Sequence, residues 1–322
     1  MKLVPGEHFD IGDIHIEAVP SYNTNKQFNP QTNSWLGFVL TVATMQQASA
    51  EDFTVVATIK PVHSLVAGLM QGAGQPGLIM RSGASPHHYA LRPSERRALA
   101  SASLIFWVGP ELETFMPRIL NSLPETTQAL ALINTEGITR LPARSIHPHH
   151  GDEQHIDPHI WLSPANAHVM VDAIADRLIS MDADHAHIYQ HNRKRMHERI
   201  SGIDQRIGER LSGKNSAYLS YHDAYQYFEK AYGLNNAGFV SASEEVSPGA
   251  KYINELRGKI RDQQLHCLFY EAPGRPALVD TLTDGLAVNV IELDAIGIRQ
   301  QAGEQAWFAI MLTLADGFGA CL

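Results

Sequence analysis

The sequence predicts an α/β protein built as two halves with mostly parallel sheets, separated by one long amphipathic segment. Strand-like and helix-like runs alternate from Asp52 onward, the signature of a sheet whose crossovers are helices. The alternation occurs twice, before residue 184 and after residue 211. Between these halves Ile188, Met196, Ile200, Ile203, Ile207 and Leu211 recur at helical steps.

Residues 1–34 are polar and contain Phe9–Pro20, whose alternation reads as strand. That stretch loosely resembles part of the metallo-β-lactamase-fold hydrolases, but it lacks an HxHxDH ligand motif. We expect residues 1–34 to be foreign to the domain that follows. Trp35–Met45 is a short apolar run ahead of Ala48 and Ala50, a small-x-small pattern. This reads as the apolar region of a signal peptide cleaved near Ala50, although no compact basic region precedes it. Residues 1–50 are thus an atypical N-terminal extension with a signal-peptide remnant.

The first half, residues 51–183, has strand-like runs at Phe53–Ile59, Gly77–Arg81, Leu104–Val108 and Leu130–Asn134. Its helical patterns are Val62–Gln71, Glu111–Leu123 and Ala165–Ser180, the last with Ser163 placed to cap and Pro164 at its first position. Ser145–His155 has little to bury and carries four imidazoles and two carboxylates. It reads as a surface loop that either contacts metal weakly or is simply solvated. Residues 184–212 form the long helix, serving as a linker between lobes or as another core helix. The second half, residues 213–322, has strand-like runs at Ala217–Tyr221, Gly238–Ser241, His266–Tyr270 and Val288–Leu293, with helical patterns at Pro248–Gln263 and Gly303–Phe318.

Composition narrows the function. The 322-residue chain carries a net charge of −9 and no dense Lys/Arg block, so nucleic acid is not an expected partner. After residue 50 no uncharged apolar run approaches the roughly 18–20 residues of a membrane span. Cys267 and Cys321 are far apart with no CxxC. They form a structural disulfide in an exported protein, or else remain two buried thiols.

Three histidines follow strand-like runs: His87 in a Gly/Ser/Pro loop, His159 ahead of Trp161, and His222 directly after Ala217–Tyr221. Asp294 directly follows Val288–Leu293 in the same way. Ligands of α/β sheets bind beyond the carboxyl ends of strands, and imidazoles with a carboxylate suit a transition metal. Four ligands drawn from both halves would hold an ion in the cleft between them. The spacing matches no short linear zinc motif, so it does not assign the site by itself.

From about Phe53 to Cys321 the chain closely resembles the metal-specific solute-binding proteins of bacterial ABC importers, in particular the zinc-binding ZnuA type. The segments that carry the likeness are Ile59-Lys60-Pro61, Gly83–Ser94, Trp107–Glu113, His159-Ile160-Trp161-Leu162-Ser163-Pro164, His222–Glu229, Glu271-Ala272-Pro273 and Leu293–Gly297. The resemblance implies two α/β lobes joined by one long linker helix, with zinc in the interlobe cleft. It implies a His-rich loop in the first lobe and a disulfide near the C-terminus. It places the family's ligands on His87, His159 and His222. The family's variable fourth ligand is an acidic residue before the first histidine or the late-strand aspartate. The former position is Pro86 here, so the fourth ligand is Asp294 or water, with His88 as an alternate.

The implied function is high-affinity zinc capture in the periplasm by a monomer, and delivery to the inner-membrane permease of an ABC importer, with no catalysis. Three neutral imidazoles and one carboxylate suit zinc, whereas manganese sites favour more oxygen. The rival readings are the same scaffold serving manganese or iron, and a zinc-dependent hydrolase. His185, His187, His191 and His197 lie at helical spacings on the long helix and form a further candidate metal pair. Glu271 lines the cleft, pairs with Arg275 or is structural, while Trp107, Trp161 and Tyr225 pack around the site.

Overall fold

The computed structural model describes residues 53–81, 83–144, 155–241 and 248–322, together with the backbone of three strands before residue 43. The chain divides into two units, residues 1–52 and residues 53–322. In the first, strand β1 (His8–Ile11) pairs antiparallel with β2 (Ile14–Pro20), which pairs antiparallel with β3 (Leu36–Val42). The alternation of Phe9–Pro20 therefore becomes strand as expected. The apolar run expected as a signal-peptide core is a strand over Leu36–Val42, because its β-branched and aromatic residues suit sheet pairing. The expected cleavage point near Ala50 lies outside the described residues.

The second unit opens with β4 (Val55–Ala57), α1 (Lys60–Met70), β5 (Gly77–Leu78), α2 (Pro93–Ala100), β6 (Leu104–Trp107), α3 (Met116–Leu120), β7 (Gln128–Ala131) and α4 (Pro164–Met181). The long helix α5 (Ala186–Leu211) follows. The second half then runs β8 (Tyr218–His222), α6 (Gln226–Tyr232), β9 (Asn236–Ser241), α7 (Ala250–Asp262), β10 (Cys267–Glu271), α8 (Ala277–Thr283), β11 (Asn289–Leu293) and α9 (Ala306–Cys321). The first sheet has the order β5-β4-β6-β7 and the second β9-β8-β10-β11, all parallel. Each half therefore repeats one plan, with the chain order reversing between its first and third strands.

The long helix buries Tyr189, Asn192, Met196, Ile200, Ile203, Ile207 and Leu211 along one face. It packs against α1, α4, α6 and α9, so it is both the link between the lobes and part of the core. Gly68 on α1 permits the close approach, since a Cβ there would sit 2.5 Å from Met196 Sδ. Helix α9 runs back onto α1 and α5, where the Trp307 backbone N–H donates to Ser64 Oγ at 2.9 Å. Its buried Trp307, Phe308 and Phe318 each contribute roughly 1.5–3 kcal/mol by leaving water. Cys267, at the start of β10, is disulfide-bonded to Cys321, which ends α9.

Some elements differ from expectation, and the strand expected over Gly77–Arg81 is only Gly77–Leu78. The helix expected over Glu111–Leu123 is reduced to Met116–Leu120. The Glu113 carboxylate turns back to accept the Val108 and Gly109 N–H groups, which holds residues 108–113 in a turn. The strand expected over Leu130–Asn134 lies two residues earlier, and Leu132–Asn134 form a single helical turn. Most of the Ser145–His155 tract lies outside the described residues, but its base does not. An antiparallel bridge joins Pro142 to Ile156, the Ala143 N–H donates to the His155 carbonyl at 2.7 Å, and the Asp157 N–H to the Leu141 carbonyl at 2.9 Å.

Candidate metal centre

His222 is the last residue of β8, and β8 and β10 are the adjacent strands between which the chain order of the second sheet reverses. Such a reversal leaves a crevice beyond the strand ends. Phe269 stands opposite Ser220, so two residues further along the parallel pair Glu271 comes level with His222. From the first lobe, His87 sits in a one-turn helix, Pro86–His88, whose first position is a proline. His159 leads into the turn Ile160–Leu162, after which Ser163 Oγ accepts the Asn166 N–H at 3.2 Å and caps α4.

These two turns and the strand end converge. His87, His159 and His222 each present a ring nitrogen within 4.8 Å of the others, the one such group of His, Cys, Asp or Glu among the described residues. Their ring centroids are 5.4 to 5.6 Å apart. A tetrahedral zinc ion with Zn–N bonds of about 2.0–2.1 Å holds its nitrogens about 3.4 Å apart. Small inward movements of the rings would therefore reach that geometry.

The neighbours of each imidazole fix which nitrogen faces inward. Asp157 Oδ1 accepts both the His159 backbone N–H at 3.0 Å and the ring Nδ1–H at 2.7 Å. Gln226 Nε2 donates to the other Asp157 oxygen at 3.1 Å. The His222 Nδ1–H points to Glu271 Oε2 at 3.1 Å. Each of these two rings turns its Nε2 away from its carboxylate, the arrangement in which an outer carboxylate orients a metal-binding imidazole. His87 Nε2 is buried and has no hydrogen-bond partner. An orphaned imidazole nitrogen beside two others fits an incoming cation.

The electrostatics agree. Burial, then the adjacent His159, His222 and His88 rings, push the His87 pKa down to about 2, so this ring is neutral and ready to bind. Burial works to raise the Glu271 carboxyl, but the His222 and His159 imidazoles and the Tyr225 hydroxyl hold it below the ordinary carboxylate value. The group opens into a cavity of about 340 Å³ bordered by Pro86, Glu271, Pro273 and Ile296.

Asp294 does not join the group. Its carboxylate accepts the Ile298 N–H at 2.7 Å and the Arg299 N–H at 2.8 Å, closing the loop that follows β11. That loop turns at Gly297 (φ +73°), where a Cβ would meet Ile310 Cδ1 at 2.6 Å. Its carbonyls at Gly297, Ile298 and Gln300 accept from Lys60 Nζ at the start of α1. Asp294 therefore shapes a contact between lobes, a role its strand-end position did not disclose. His88 is exposed on the turn beside His87.

Glu271 lines the cavity, one of the roles expected of it, but its pairing with His222 and that of Asp157 with His159 were not anticipated. Glu271 pairs with His222, while Arg275 pairs with Asp280 at 2.6 Å. Asp157, two residues before His159, was legible as a nearby carboxylate. Trp161 is buried with its ring 5.2 Å from that of His159, and its Nε1–H donates to the Ala295 carbonyl at 2.9 Å. A salt-bridged cluster lies next to the site. Arg144 pairs with Asp223, the residue after His222, and with Glu229 at 2.9 Å.

Comparison with known proteins bears on this geometry directly. Residues 55–321 match the family model for ZnuA, the periplasmic zinc-uptake complex component A. The chain belongs to the ZnuA family. It is 32% identical over 304 residues to the high-affinity zinc uptake system protein ZnuA of Brucella abortus, covering 83% of this chain and 91% of that protein. The corresponding ZnuA of Yersinia pestis is 29% identical over 314 residues, covering 90% of this chain and 98% of that protein. The fold is shared with the periplasmic zinc-binding protein TroA of Treponema pallidum (TM-score 0.70, 22% identity, 83% of this chain and 98% of that one). It is shared equally with FpvC of Pseudomonas aeruginosa in complex with Mn2+ (TM-score 0.73, 18% identity, 83% and 97%). The two parallel-sheet lobes and long helix are thus the architecture of this ZnuA-type group.

Proposed function

We propose that the protein captures zinc in the periplasm, binding it through His87, His159 and His222, and delivers it as a monomer to the permease of an inner-membrane ABC importer. One observation supports this most: three imidazoles each bring a ring nitrogen within 4.8 Å of the others, two of them with Nδ1 held by carboxylates and the third with a buried Nε2 that lacks a hydrogen-bond partner. Neutral nitrogen donors of this kind suit zinc's four-coordinate preference, and water would complete the shell in place of Asp294. Manganese and iron favour more oxygen donors than a group of three imidazoles provides. The Cys267–Cys321 disulfide accords with an oxidising compartment. Among the described residues no helix is long and apolar enough to cross a membrane.

A carrier differs from a hydrolase in what surrounds the ion. A hydrolase needs a general base beside metal-bound water, whereas Asp157 accepts from His159 and Gln226 with its two oxygens and Glu271 gives one oxygen to orienting His222. Competition titration against a chromophoric chelator tests the proposal. The wild type is expected to bind one zinc tightly, and His87→Ala, His159→Ala and His222→Ala each to abolish that site. Tight binding that survives all three substitutions would overturn the ligand set, and preference for Mn2+ over Zn2+ would overturn the choice of metal.

A further inference from the structure

A second imidazole pair lies between α4 and α5, outside the cleft group. His168 Nδ1 and His197 Nδ1 are 2.6 Å apart. Their rings are 12° from parallel with centroids 4.8 Å apart, so the two nitrogens face each other nearly edge to edge. Two lone pairs cannot oppose each other at that distance; a single proton must lie between them. The outer nitrogens also have oxygen partners. His197 Nε2 is 2.9 Å from Asp172 Oδ1, and His168 Nε2 is 3.4 Å from Ser201 Oγ.

We propose that this pair is a second, labile site for a divalent transition ion of the zinc, copper or nickel class, the cation taking the place of the shared proton. Both Nδ1 atoms would bind and both Nε2–H groups would donate outward, to Asp172 and Ser201, the usual backing of a ligating histidine. To accept a tetrahedral ion at zinc–nitrogen length, the nitrogens would part from 2.6 Å to about 3.4 Å and the rings would tilt until both lone pairs converge on it. The side chains have room to move: His197 is 31% and Asp172 49% exposed.

The surrounding charge is mixed. Asp172 and Asp204 lie near His168, and Asp204 also accepts the Tyr232 hydroxyl at 2.8 Å. Arg193 opposes a cation but is drawn toward Asp172, at 3.6 Å, and Asp176. Burial and the neighbouring His197 depress the His168 pKa, which favours the neutral ring. Water would supply the remaining ligands. A bound ion would clamp α4 to the helix that links the lobes.

The inference does not depend on the cleft site. Equilibrium dialysis of zinc alone, at micromolar free metal, compares the full chain with His168→Ala and His197→Ala. Each variant is expected to bind one equivalent fewer than wild type while keeping the tight cleft equivalent. Equal uptake by all three proteins would overturn the site and leave a simple hydrogen-bonded pair. Should the alanine variants misfold, Asp172→Asn and Ser201→Ala leave both rings intact. Asp172→Asn is expected to weaken the second equivalent about 10–100-fold, Ser201→Ala by less. No change in either would equally overturn the proposal.

Discussion

The His222 imidazole and the Glu271 carboxylate meet at 3.1 Å across the ends of two adjacent parallel strands. The strand register alone brings them level, so the ring is aimed by the sheet rather than by a loop. Glu271→Ala is expected to lower zinc affinity about 10–100-fold, as losses of outer partners do. Glu271→Gln should cost less, because its amide oxygen still accepts the Nδ1–H. Chelator competition reads both values, and an unaltered affinity in the alanine variant would detach Glu271 from the site.

Asp294 behaves differently, because its carboxylate is spent on the Ile298 and Arg299 N–H groups. Asp294→Asn keeps one acceptor and loses the other, so thermal stability should fall. Zinc affinity should change by less than the about 10–100-fold that losing a ligand's outer partner costs. A loss matching that of His222→Ala would instead make Asp294 a ligand in the loaded protein.

Glu113 makes stability depend on pH. Burial pushes its carboxyl up to about 7, although Thr58, Gly109 and Val108 donate to it. The folded value lies above the unfolded one, so the contribution is full below about pH 4.5 and is lost as pH rises through 7. In Glu113→Gln this dependence disappears. Urea unfolding at pH 5 and pH 8 should show the variant gaining on wild type by up to about 3 kcal/mol. A constant difference between the two proteins would mean that Glu113 does not titrate in this range.

Cys321→Ser frees the end of α9 from β10. The disulfide spans 54 residues, and the loss of so large a closed loop should cost about 4 kcal/mol in denaturant unfolding. Reductant should reproduce the effect in wild type. Zinc affinity should be unaffected, since Cys267 begins the strand whose other end carries Glu271.

Strand–helix alternation and the apolar stripe of α5 made the two-sheet plan legible, and His222 could be placed at a strand end by pattern alone. His87 and His159 stood among the candidates by their places after strand-like runs, but family resemblance was needed to assign them, since each sits on a short turn that hydrophobic periodicity does not mark. The fate of Asp294 was hidden because a short acidic side chain can satisfy nearby backbone N–H groups instead of a ligand. Helix α3 was overestimated for a related reason, the Glu113 carboxylate having folded back onto its own turn. The His168–His197 pair was missed because partners were sought along one helix, whereas these rings are 29 residues apart and meet across two.

The pinched base at Pro142 and Ile156 carries one last implication. Its hydrogen bonds on either side hold Leu141 and Asp157 in place whatever chain runs between, and lengthening a loop closed in this way adds little entropic cost. Swapping the tract for a longer, shorter or histidine-free one should therefore leave the aspartate that steers His159 undisturbed. Selection can rewrite the chemistry of this tract without retuning the carboxylate that grips His159.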